Sequence, residues 1–90
     1  MKTFALEYER TPKTYREYSK IRKKIETERR IDRFLYLVAN SHLQSFIEQC
    51  YRGIGRPLYI GRSSELESVA PEDVEVLDVR TNRTLRLKDI

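Results

Sequence analysis

Two carboxylates, Glu7 and Glu9, stand two residues apart in the stretch Thr3-Phe-Ala-Leu-Glu-Tyr-Glu-Arg10. That stretch reads as a strand, in which successive side chains point to opposite faces. Phe4, Leu6 and Tyr8 then share one side, and Ala5, Glu7 and Glu9 the other. The carboxylates sit roughly 6.5–7 Å apart along the backbone, so their side chains could converge on one divalent cation. Hard cations such as Mg²⁺ take carboxylate oxygen, which makes Glu7 and Glu9 a candidate Mg²⁺ pair. The same pair also fits the solvent side of a half-buried strand, or charges that guard a sheet edge against aggregation.

The next segment must position them. Thr11 reads as a helix N-cap and Pro12 as the first helical residue, where its missing N–H costs nothing. A helix over Lys13 to Asp32 puts Tyr15, Tyr18, Ile21 and Ile25 on one stripe. Lys13, Arg16, Lys20, Lys23 and Lys24 fall on the opposite face. Arg22 and Arg29 land on the apolar side, where their stems can cover hydrophobic surface. A cationic stripe of this kind can follow phosphates, which dominate sequence-independent nucleic-acid affinity. It also fits an ordinary solvated face, because Lys and Arg are good helix formers.

The chain's 90 residues suit one small domain, residues 1–90, with a single core of modest depth. Charge is unevenly spread. Residues 1–33 carry 11 Lys/Arg against 6 Asp/Glu, residues 34–62 carry 3 against 1, and residues 63–90 carry 4 against 7. A polyanion would therefore meet the first two-thirds of the chain. One cysteine excludes an internal disulfide, so a reducing, cytoplasmic compartment is expected. No apolar run approaches the ~20 residues that span a bilayer, and no signal-peptide pattern opens the chain. No membrane partner is expected.

Further along, Arg33-Phe-Leu-Tyr-Leu-Val-Ala-Asn40 is apolar on both alternating sets, which predicts a central parallel strand with helices on both faces. Ser41-His-Leu-Gln44 fits a capping box, and Leu43, Phe46, Ile47, Cys50 and Tyr51 form the stripe of a second amphipathic helix that stops at Gly53. Cys50 on that stripe reads as an inert core thiol. His42 has no Cys or second His beside it to share a metal. Gly53-Ile-Gly55-Arg-Pro57 lacks the third glycine of a dinucleotide loop and the Lys-Ser/Thr of a phosphate loop. Leu58-Tyr-Ile60 is a third strand, and a single helical turn is expected between Ser63 and Pro71. Val74 to Val79 and Thr84 to Leu87 alternate and read as a terminal hairpin turning at Asn82. The predicted fold class is α/β: β-α-β-α-β with a parallel core sheet, plus a C-terminal hairpin. Tyr15, Tyr18, Tyr36 and Tyr51 all have core-facing positions in that scheme.

Ala5-Leu-Glu-Tyr-Glu-Arg-Thr11, Tyr18-Ser-Lys-Ile21 and Phe34-Leu-Tyr-Leu-Val38 resemble the C-terminal region of plasmid replication-relaxation proteins. More broadly they look like the second half of the restriction-endonuclease-like PD-(D/E)XK fold. The resemblance covers about residues 3–62. It implies that Glu7 is the motif carboxylate, with Glu9 where the family usually has lysine. Some members carry the lysine on the following helix, which nominates Lys13 or Lys20 and gives the catalytic set Glu7, Glu9 and Lys20. The family's pattern also has an aspartate ligand on an earlier strand, whereas Glu7 here has only six residues before it. The expectation is therefore a DNA-binding domain of plasmid or mobile-element processing, catalytically incomplete by itself. It would be completed by an upstream half-domain or by a second copy. A Mg²⁺-dependent nuclease assembled as a homodimer, and a non-catalytic protein-interaction module, are the alternatives.

Overall fold

A computed structural model describes residues 3–90. The elements run β1 (Phe4–Glu9), α1 (Tyr15–Thr27), β2 (Arg33–Val38), α2 (Ser41–Cys50), β3 (Leu58–Arg62), β4 (Glu75–Asp78) and β5 (Arg83–Arg86). They build one five-stranded sheet in the order β1-β2-β3-β4-β5. The first three strands are parallel, and β4 and β5 are antiparallel additions. The protein is thus α/β with a mixed sheet. Its hairpin turns at Asn82, whose φ of 59° is one that Asn tolerates better than most residues.

Both helices lie on one face of the sheet. Tyr18 and Ile25 of α1 and Leu43 and Ile47 of α2 share one buried cluster with Phe34, Tyr36, Val38, Leu58 and Ile60. The expectation of helices on both faces of β2 fails for a topological reason. Right-handed crossovers between parallel strands laid down in sequence order return each helix to the same side. The second apolar set of β2 is covered by the C-terminal segment instead: Leu35 packs with Tyr59, Val74 and Val76, flanked by Leu37, Leu85, Leu87 and Ile90.

The helix starts also differ from those expected. Thr14, not Thr11, caps α1: its side chain accepts from the Glu17 N–H, while the Glu17 carboxylate accepts from the Thr14 N–H. That reciprocal box satisfies two donors at once, which Thr11-Pro12 does not offer. The helix ends at Thr27, well short of Asp32, because Glu28 is extended. Asn40 rather than Ser41 caps α2, accepting from the Leu43 N–H at 2.9 Å. Gln44, expected to reach back to the cap, accepts from Arg62 Nε at 2.8 Å. Gly53 adopts φ +78°, the left-handed conformation in which glycine escapes the Cβ penalty. The turn expected before Pro71 is a short 3₁₀ helix over Ser63–Glu67.

A polar pair sits inside the core. The hydroxyls of Tyr36 and Tyr51 lie 2.6 Å apart, and both residues are buried. Burial pushes the Tyr51 phenol up to about 12, and burial with the shared hydrogen bond pushes Tyr36 further in the same direction. Both are therefore protonated throughout the neutral range. Tyr36→Phe should cost ~1–3 kcal/mol, because the Tyr51 hydroxyl is left buried without its partner. Tyr36→Phe combined with Tyr51→Phe should restore most of that loss, since no polar atom is stranded. Urea midpoints of the single and double variants measure the difference.

Candidate nucleic-acid interface

β1 is an edge strand, and its register with β2 places Ala5, Glu7 and Glu9 beside Phe34, Tyr36 and Val38. Glu7 and Glu9 therefore share a face, and it is the face that carries the helices. The sense of burial reverses what an acidic solvent side would require. Glu9 is only 5% exposed. Phe4, Leu6 and Tyr8, on the other face, are exposed. The reason is the helix layer: β1 turns its small and acidic side toward α1, while the C-terminal segment covers the middle of the sheet.

Glu9 is already engaged. Its carboxylate accepts from Lys13 Nζ, and its carbonyl accepts from the Ala39 N–H at 3.1 Å. Burial works against the Lys13 charge, but the hydrogen bond and charge of Glu9 outweigh it, and the ammonium is held above its ordinary range. Lys13 is anchored further by Tyr18, whose hydroxyl accepts from the Lys13 N–H at 3.3 Å and whose ring lies under the ammonium. This knot fixes the chain between β1 and α1. It also takes Lys13 out of any phosphate-binding row.

Glu7 has a different setting. It is exposed at the mouth of a groove of about 210 Å³ between β1 and α1. Ala5, Ile21, Ile25, Ile31 and Phe34 supply apolar lining, and Lys24 and Glu28 bring charge. Lys20, nominated as the catalytic lysine, does not line this groove. It lies about 160° around the helix from buried Tyr18, as two residues at ~100° each require. Lys13 is the lysine bound to one of the two carboxylates, on Glu9, and Lys24 lines the same groove as Glu7.

The donor set does not fit Mg²⁺. One carboxylate of the pair is committed to Lys13, and a cation of this kind needs near-octahedral oxygen ligation. Among the described residues no group of three or more His, Cys, Asp and Glu side chains comes together. His42 lies instead beside Arg10, Pro12, Asn40, Leu43 and Phe46, around a hollow of about 170 Å³ at the carboxyl ends of β1 and β2. Cys50 is half-buried, and burial pushes its thiol up, the opposite of an activated nucleophile.

What α1 presents to solvent is positive charge. Arg16, Lys20 and Lys23 follow one another along its outer side at i, i+4 and i+7, with Lys24 on the flank toward β1. All four are exposed, and none makes an ion pair among the described residues. Glu17, three residues before Lys20, spends its carboxylate on the Thr14 cap, and the cap bonds hold it below its usual range. Glu26, three residues after Lys23, pairs with Arg22 at 3.7 Å. The acids of the C-terminal third lie elsewhere. Glu65 accepts from the Glu75 N–H, and Asp73 stands 4.0 Å from both Arg86 and Lys88.

Arg56 holds this helix in place, and nothing in the sequence singles it out. Its guanidinium donates to the carbonyls of Ile25, Glu28 and Ile31 and lies 5.5 Å from the centre of the Phe34 ring. Arg22 adds a second tie, donating to the carbonyls of Cys50, the last residue of α2, and Arg52 just beyond it. Tyr15, expected in the core, is mostly exposed and packs on Phe46 at 4.6 Å. Among the described residues no helix is long and apolar enough to cross a membrane. Compared with known proteins, the chain matches no family model, no curated protein and no solved structure.

Proposed function

We propose that this chain is a DNA-binding domain of restriction-endonuclease-like type, serving plasmid or mobile-element DNA processing in the cytoplasm and catalytically incomplete by itself. One observation carries the reading: the exposed row Arg16, Lys20, Lys23 and Lys24, without internal ion pairs among the described residues, on a helix braced by Arg22 and Arg56. Cations left unpaired on a rigid element are free to displace the counterions of a phosphate backbone. In the family resembled, the strand bearing the motif carboxylate is followed by a helix and a parallel strand. The order β1-α1-β2 with its parallel pairing supports the finer classification. In this reading Glu7 and Glu9 are the remnant of a metal pair, with the Lys13 ammonium neutralising Glu9.

Titration of fluorescent duplex DNA at rising salt tests the proposal. Expected is binding that weakens steeply as salt increases; no binding even at low salt would leave a protein-interaction module as the better description. Incubation of supercoiled DNA with Mg²⁺ or Mn²⁺ should give no nicking by the chain alone. Nicking that disappears in Glu7→Ala would replace this reading with that of a nuclease.

A further inference from the structure

We infer that β1 is a self-pairing edge, and that two copies of this chain join there, antiparallel, about a two-fold axis centred on Leu6. The outer edge of β1 pairs with no strand among the described residues. Phe4, Leu6 and Tyr8 are 41%, 59% and 53% exposed on the face that the C-terminal segment leaves bare. An open edge beside an apolar row is a feature that sheets ordinarily blunt with charge or cover.

The occupant follows from the order of the side chains. With Leu6 opposite Leu6, Phe4 of one copy faces Tyr8 of the other, twice, so the row continues unbroken across the axis. Ala5 then faces Glu7, and no like charges meet within β1. Centring the pair on Glu7 would set two carboxylates opposite each other, which is destabilising. Centring it on Ala5 would leave Tyr8 outside the apolar row. A strand whose best register pairs it with itself fits an isologous contact, the commonest form of soluble assembly.

The axis lies perpendicular to the sheet, so both copies carry their helices on the same face. The groove between β1 and α1, which Glu7, Lys24 and Glu28 line, then lies beside the seam. The joined sheet has ten strands, within the range of open twisted sheets. The pairing does not depend on the nucleic-acid reading, but its consequence does: two α1 helices side by side double the cationic surface offered to one duplex.

Sedimentation of the full chain should show a dimer in the micromolar range. Leu6→Lys places two ammonium groups at the axis and should give a monomer with an unchanged far-ultraviolet spectrum. In a Cys50→Ser background, Leu6→Cys should crosslink readily on mild oxidation, because directly opposed residues lie within disulfide reach. Tyr8→Cys should not, since its two copies stand four residues apart in this register. A wild-type monomer at high concentration would overturn the pairing, as would a dimer that survives Leu6→Lys or that crosslinks equally through Tyr8→Cys. A dimer that ignores DNA would leave the pairing intact and sink only the nucleic-acid reading.

Discussion

Arg56→Ala should destabilise the domain by ~2–4 kcal/mol, because charge-assisted hydrogen bonds of this kind contribute ~1.5–3 kcal/mol and several are lost together. The guanidinium gathers three carbonyls at the end of α1 and the loop behind it, which lie where a helix terminus leaves its acceptors unpaired. It also rests against Phe34, a contact worth ~0.5–2 kcal/mol. In a domain of this size each kcal/mol moves the thermal midpoint by about 4–8 °C, so a fall of about 8 °C or more is expected. Arg56→Met keeps a stem on the ring and removes only the donors, and it should recover a minor part of the loss. Arg56→Lys should recover little more, since an ammonium cannot span carbonyls set out for a planar fork. Midpoints of all three near wild type would mean that water serves those carbonyls equally well.

Lys20→Glu, Lys23→Glu and Lys24→Glu together should reduce duplex affinity by ~100-fold or more at moderate salt, through loss of phosphate contacts and added repulsion. The fold should be untouched. All three side chains are exposed and have no ion-pair partner among the described residues, so reversing them strands no buried group. Arg16→Glu alone should act in the same direction and more weakly. Lys13→Glu should behave differently, lowering stability rather than merely affinity, because it would bring a second carboxylate onto buried Glu9. The contrast between Lys13 and Lys20, both basic positions of one predicted stripe, separates a cation that holds the fold from one that faces solvent. Urea unfolding and anisotropy on the same samples distinguish them.

Much of the architecture can be read from periodicity. The doubly apolar run at Phe34 to Val38, the stripe through Leu43 and Ile47, and the turn at Asn82 each produce the element that appears. Strand alternation alone places Glu7 and Glu9 on one side of β1. What periodicity does not encode is which side the rest of the chain will cover. Phe4, Leu6 and Tyr8 look like a core face, yet the helix layer falls on the Ala5 side, and that follows from crossover handedness rather than from β1 itself. Thr11-Pro12 reads as the start of α1, whereas the reciprocal capping box of Thr14 and Glu17 sets it. Lys13, ahead of that box, turns its side chain back to Glu9, a tie that spacing does not reveal. Arg56 is invisible for a similar reason: its partners are backbone carbonyls about 25 to 31 residues away, and carbonyls leave no mark in a sequence.

The salt dependence of duplex binding tests the cationic face of α1 most directly. Four phosphate-facing cations should give a log–log slope near −3.6, at ~0.9 for each contact, and a steeper one if two copies engage together. The triple lysine reversal should flatten that slope by about three. A wild-type affinity that does not change with salt, or a slope that the reversal leaves as it was, would contradict a phosphate-binding role for this helix.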